Sequence, residues 1–106
     1  MNCIVIDDEA ASISVIKHFI NNTPVLNLIE TFSSPIKAFQ FLQLHPEVYL
    51  IFLDINMPHQ NGLEFYKSLE QPPAVIFTTA YPEYAVNAFD LNAVDYLLKP
   101  ISYKRF

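Results

Sequence analysis

Five short apolar blocks punctuate the chain: Cys3-Ile4-Val5-Ile6, Leu26-Asn27-Leu28-Ile29, Val48-Tyr49-Leu50-Ile51-Phe52-Leu53, Ala74-Val75-Ile76-Phe77 and Val94-Asp95-Tyr96-Leu97-Leu98. Most are apolar on consecutive rather than alternate residues, which is the pattern of a strand covered on both faces of a parallel sheet. Helical spacing fills the intervals. Ala10, Ile13, Ile16 and Ile20 form one stripe with Phe19 beside it, and Ser34-Pro35 is an N-cap and first-turn pair for a helix carrying Ile36, Phe39 and Leu42. A third helix is predicted from Gly62 through Leu63, Tyr66 and Leu69, and a fourth from about Glu83 through Val86 to Phe89. Strand starts fall about 20 to 26 residues apart, enough for right-handed βαβ crossovers. The fold class is therefore α/β: a doubly wound, five-stranded parallel sheet, with 2-1-3-4-5 as the candidate strand order. After Lys99-Pro100 only Ile101-Ser102-Tyr103-Lys104-Arg105-Phe106 remain, so the fifth helix is expected to be truncated. Residues 1–106 are accordingly read as one domain, the N-terminal module of a longer protein whose downstream output domain is absent from this chain.

Composition narrows the class. With 106 residues, 52% of them apolar, there is material for one core. Six basic against eleven acidic side chains give a formal charge of -5, which disfavours direct attraction to nucleic acid or an anionic membrane. No apolar run approaches the roughly 18 residues of a membrane span. Cys3 is the only cysteine and has no partner within the chain; with no secretory leader pattern, a reducing cytoplasm is the expected location. Gly62 is the only glycine, so turns are short and other residue types make them.

In a parallel α/β sheet, ligands bind at the carboxyl ends of the strands near the point where strand order reverses. Here those ends read Asp7-Asp8-Glu9, Asp54, Thr78-Thr79 and Lys99-Pro100. In the 2-1-3-4-5 order the first and third strands are neighbours, and Asp7, Asp8 and Asp54 converge, flanked by Thr79 and Lys99. At about 5 Å and an effective dielectric near 20, each pair of carboxylates repels by roughly 3 kcal/mol, so a cation or a proton must relieve the pocket. Hard oxygen donors without a soft ligand favour Mg²⁺, which binds one or two carboxylates together with phosphate oxygens. Phosphoryl transfer needs an in-line nucleophile, a metal and a balancing cation; Asp54, Mg²⁺ and Lys99 supply them, and Thr79 offers a hydroxyl to the transferred group.

Asp7-Asp8, Asp54-Ile55-Asn56-Met57-Pro58 with Gly62, Thr79-Ala80 and Tyr96-Leu97-Leu98-Lys99-Pro100 together resemble the receiver domains of two-component response regulators, across essentially the whole chain. Ala80-Tyr81-Pro82-Glu83-Tyr84-Ala85-Val86-Asn87-Ala88-Phe89 and Asp95 through Ile101 are similar to the subgroup that precedes a LytTR-type DNA-binding domain. The resemblance implies that Asp54 is the phosphoacceptor, with Mg²⁺ held by Asp8 directly, by Asp7 through water, by Asp54 and by the backbone carbonyl of Asn56. It implies Thr79 as switch hydroxyl, Tyr96 as the aromatic side chain that follows it, Lys99 as the phosphoryl partner and a cis bond before Pro100. The implied partner is a sensor histidine kinase, with a homodimer on phosphorylation allowed. DNA binding is expected from the missing domain rather than from this one. Such a domain is not an enzyme with a separate substrate, although it promotes its own phosphorylation and dephosphorylation.

Plainer readings exist for each residue taken singly. Asp8 is also a reasonable helix N-cap, Asp54 or Lys99 alone a solvated turn residue, and Tyr96 simple packing. Thr78 and Thr79 are both common strand residues, and register alone selects Thr79 for the pocket. Tyr81, Tyr84 and Phe89 read as core or an apolar patch; His18, His45 and His59 lack metal-ligand spacing; Cys3 reads as inert and buried. Competing functions are a Mg²⁺-dependent phosphatase with an aspartyl-phosphate intermediate, a degenerate receiver serving only as an interaction module, and a flavodoxin-like cofactor binder. Adjacent Asp7 and Asp8, with no cap segment, fit the first poorly. The full set of acidic, hydroxyl and amine positions fits the second poorly. An acidic loop after the first strand would repel a cofactor phosphate and disfavours the third.

Overall fold

The structure, a computed structural model, describes residues 1–58 and 60–101. The elements run β1 (Asn2–Ile6), α1 (Ala10–Asn21), β2 (Asn27–Phe32), α2 (Pro35–Leu44), β3 (Leu50–Asp54), α3 (Gly62–Lys67), β4 (Ala74–Thr79), α4 (Ala85–Asp90, entered through one 3₁₀ turn over Pro82–Tyr84) and β5 (Asp95–Leu98). The strands form one sheet in the order β2-β1-β3-β4-β5, and every neighbouring pair is parallel. The expectation of a truncated fifth helix falls on residues 102–106, outside the described residues. No helix among the described residues is long and apolar enough to cross a membrane.

Consecutive apolar residues along the strands divide between two faces of the sheet. Ile4, Ile6, Ile51, Leu53, Val75 and Phe77 point to the side where Ala38 of α2, Leu63 and Phe65 of α3 and Ala88 of α4 pack. Cys3, Val5, Leu50 and Phe52 point the other way, onto Ile16 and Ile20 of α1. Both faces thus carry helices, α1 on one and α2, α3 and α4 on the other, as the unalternated strand sequences require. Burial also pushes the Cys3 thiol up to about 11, leaving it protonated and unreactive near neutral pH.

Two helices turn differently from their expected faces. In α2 the inward positions are Pro35, Ala38, Phe39 and Leu42, and Ile36 is 69% exposed, because it lies one 100° step around from Pro35. In the 82–91 region the inward stripe is Tyr84, Ala88 and Leu91, which leaves Val86 and Phe89 each 68% exposed. Asn92 ends α4 with φ 57°, a left-handed conformation that asparagine tolerates better than most residues, and the Asn92 and Ala93 amides close back on the Phe89 and Ala88 carbonyls.

Gly62 opens α3 against the end of β3. Its N–H donates to the Ile55 carbonyl at 2.8 Å, and a Cβ at this position would be driven into the Asp54 carbonyl oxygen and lie 3.0 Å from Ile55 Cα. The close approach explains why the chain's only glycine stands here: backbone, which cannot move aside as a flexible side chain would, occupies the space of a side chain. Gly62→Ala is expected to destabilise the fold by about 1 to 3 kcal/mol, read as a lower urea midpoint with an unchanged slope.

Candidate phosphoryl-transfer site

The sheet delivers three side chains to one edge by main-chain hydrogen bonds that continue just past the strand ends. Asp7 N–H donates to the Phe32 carbonyl at 3.0 Å, Ile55 N–H to the Thr78 carbonyl at 3.0 Å and Lys99 N–H to the Thr79 carbonyl at 2.7 Å. Asp7, Asp54 and Lys99 are therefore fixed by the ladder and not by loop conformation. The Lys99–Pro100 peptide bond is cis.

Lys99 lies at the centre of the cluster. Its Nζ is 3.1 Å from Asp7 Oδ2, 2.9 Å from Glu9 Oε1 and 3.4 Å from Asp54 Oδ1. Asp7 and Asp54 are buried, while Glu9 reaches in from the exposed rim. Burial by itself would lower the Lys99 pKa, but the hydrogen bond to Glu9 and the charges of Asp54 and Asp7 outweigh it and hold the ammonium above its ordinary value. Asp54 moves the other way from an ordinary carboxylate. Its pKa is pushed up to about 7, first by burial, then by the Asp7 charge and a hydrogen bond with Asp8, against the lowering pull of Lys99 and the Asn56 N–H.

The local turns are made by the site residues themselves. Asp7 Oδ1 accepts the Glu9 N–H at 2.9 Å, and Asp54 Oδ1 accepts the Asn56 N–H at 3.2 Å. Asn61, in turn, caps α3 by accepting the Leu63 N–H at 2.7 Å. On the far side of the pocket, the Thr79 hydroxyl donates to Asn56 Oδ1 at 2.7 Å and accepts the Tyr81 N–H at 3.1 Å. The Tyr96 hydroxyl donates to the Tyr81 carbonyl at 3.3 Å.

Asp7, Glu9 and Asp54 each offer a carboxylate oxygen within 4.8 Å of the others, an all-oxygen donor set of the kind that hard divalent cations take. Asp7 Oδ2 is buried and, among the described residues, has no donor aligned for a hydrogen bond, with Lys99 present only as an ion-pair neighbour. A buried carboxylate oxygen with unused lone pairs suits Mg²⁺.

Among the residues expected in the pocket, Asp7, Asp54 and Lys99 come together directly, and Asn56 and Thr79 adjoin them. Asp8 is exposed, within hydrogen-bonding reach of Asp54 but outside the Asp7-Glu9-Asp54 group. Sequence reasoning gave no role to Glu9, whose anchoring of Lys99 was hinted at only by the unbroken acidic run of residues 7 to 9. It took the backbone carbonyl of Asn56 as a ligand and its side chain as a neighbour of the site, without foreseeing the bond to Thr79. Thr78 pairs in register with Asp54, yet its buried hydroxyl has no hydrogen-bond partner among the described residues; Thr79 is the threonine tied to the pocket. Tyr81 and Phe89 are exposed, whereas Tyr84 packs against the core. His59 lies outside the described residues.

The response regulator receiver domain family matches residues 3–106. The chain belongs to that family: it is a receiver domain of a two-component response regulator. It is 38% identical to an uncharacterized response regulatory protein of Yersinia pestis and 35% identical to the transcriptional regulatory protein LytR of Staphylococcus aureus, in each case over 99% of this chain and 44% of the relative. It thus spans less than half the length of these curated relatives. Among solved structures, the response regulatory domain of protein mrkE from Klebsiella pneumoniae superposes with a TM-score of 0.87 at 34% identity, covering 99% of this chain and 88% of that one.

A carboxyl that ionises near 7 when folded and near 4 when unfolded favours the folded state below about pH 4, and that contribution is lost as pH rises through 7. Ionised Asp54 therefore destabilises the metal-free fold at pH 8, where the carboxyl has lost the proton that burial and the Asp7 charge favour. Asp54→Asn is expected to raise the melting temperature clearly at pH 8 without Mg²⁺ and much less at pH 5. Equal gains at the two pH values would contradict the assignment.

Proposed function

We propose that this domain takes a phosphoryl group from a sensor histidine kinase onto Asp54 and changes its protein contacts in response, driving an output carried by another part of a longer protein. The observation that supports this most strongly is the convergence of buried Asp54 and Asp7 on the Lys99 ammonium, at 3.4 and 3.1 Å. An Asp54 carboxylate oxygen attacks phosphorus, the phosphorus–nitrogen bond of a phosphohistidine breaks, and the imidazole nitrogen leaves with the electron pair. The product is an aspartyl phosphate. The loose transition state spreads negative charge over the phosphoryl oxygens, and Lys99 is already held where it can offset that charge.

Mg²⁺ would be held by Asp7, Asp8 and Asp54 with the Asn56 carbonyl, and Glu9 is a further carboxylate at the rim. When bound, it supplies positive charge that screens the carboxylates from one another and from the incoming phosphoryl oxygens. Asp54 must be ionised both to bind the metal and to attack. Its raised pKa, about 7 without metal, makes this pocket sensitive to pH near neutrality.

After transfer the added charge of about -1.5 to -2 gives the Thr79 hydroxyl a strong acceptor. The hydrogen bonds from Thr79 through the Tyr81 main-chain N–H and C=O to Tyr96 then supply a route to the α4–β5 surface. The domain turns over no separate substrate; it promotes its own phosphorylation and hydrolysis. By analogy with the LytR relatives, the output is transcriptional, with DNA contacted by a LytTR-type domain rather than by this acidic one. A cytoplasmic setting, and a second copy of the chain among the contacts altered by phosphorylation, complete the reading.

Incubation with phosphoramidate or acetyl phosphate and Mg²⁺ is expected to add the mass of one phosphoryl group to the intact protein. Asp54→Asn and chelation of Mg²⁺ should each abolish the gain, and Lys99→Met should slow it at least tenfold. Unmodified wild-type protein after prolonged incubation would refute the proposal.

A further inference from the structure

We propose that the Asn56 side chain is a resting-state latch on the Thr79 hydroxyl, setting how readily the unphosphorylated domain enters its switched state. The inference rests on the phosphoacceptor reading of Asp54 and deepens it. A threonine hydroxyl has one proton to give, and here it is given to Asn56 Oδ1 at 2.7 Å, the usual length of a good O–H···O bond. The oxygen also accepts the Tyr81 N–H at 3.1 Å. To donate to a phosphoryl oxygen, Thr79 must first surrender its bond to Asn56.

Asn56 is placed to make that surrender depend on Asp54. Its main-chain N–H donates to Asp54 Oδ1 at 3.2 Å while its side chain holds Thr79, so a single residue bridges phosphoacceptor and hydroxyl. Asn56 is exposed, and water can satisfy its carbonyl once Thr79 leaves. The latch therefore opposes switching by no more than one modest hydrogen bond. That is enough to move a two-state population severalfold without locking it.

The test uses beryllofluoride, a phosphoryl mimic, with Mg²⁺ and the protein in four forms: wild type, Asn56→Leu, Thr79→Val and the double variant. Leucine is close to asparagine in size but accepts no hydrogen bond, and Asn56→Ala serves as a second variant without added bulk. With Thr79 present, both Asn56 variants are expected to bind the mimic roughly two- to tenfold more tightly, the range one hydrogen bond allows. In the Thr79→Val background the gain should vanish, a coupling that a purely structural role for Asn56 would not produce. Without the mimic, the Tyr81 amide and Tyr96 ring resonances of the Asn56 variants should move toward their positions in beryllofluoride-bound wild type. Unchanged or weaker affinity in the Asn56 variants, or an equal gain with Thr79→Val, overturns the latch while leaving Asp54 as phosphoacceptor. Wild-type protein that fails to bind the mimic overturns both.

Discussion

Among the described residues, a single ammonium group faces three carboxylates at the carboxyl edge of the sheet, and the electrostatics of the pocket follow from that imbalance. Lys99 is shared by Asp7, Glu9 and Asp54, two of them buried. Hydrophobic packing on both sheet faces holds the carboxylates together despite their repulsion, which burial strengthens by keeping water out. What remains uncompensated appears as the high pKa of Asp54 and, among the described residues, as a carboxylate oxygen on Asp7 without an aligned donor. A pocket in this condition gains stability from whatever positive charge it can take up.

The fold was readable because its strands are apolar without alternation and are separated by helix-length intervals, leaving few alternatives to a parallel sheet covered on both sides. The strand ends then carried the site, since the parallel ladder fixes where each strand stops. Asp7, Asp54, Thr79 and Lys99 are ladder residues or their immediate successors, and each lies where strand order puts it. Helix faces were less readable. A six-residue helix such as α4 has too few positions to choose between a stripe through Val86 and Phe89 and one through Tyr84, Ala88 and Leu91; packing against β4 and β5 decided it.

Side-chain pairings were harder still to foresee. Glu9 reaches Lys99 across 90 positions of sequence, and Asn56 reaches Thr79 across 23, so neither pairing leaves a local pattern. Both depend on side-chain reach at the rim, where rotamers, not register, choose the partner. Gly62 is the opposite case. It stood out as the sole glycine, yet its reason, the approach of α3 to the Asp54 carbonyl, emerges only once β3 and α3 are seen together.

The link between Thr79 and Tyr96 passes through residue 81 by its main-chain N–H and C=O alone. The Tyr81 side chain is half exposed and takes no part in either bond. In the proposed switch, relay and surface recognition are thereby uncoupled at this position: the exterior can be rewritten to suit a different interlocutor while the interior wiring stays intact, and proline, lacking the N–H, is the one residue type that would sever it.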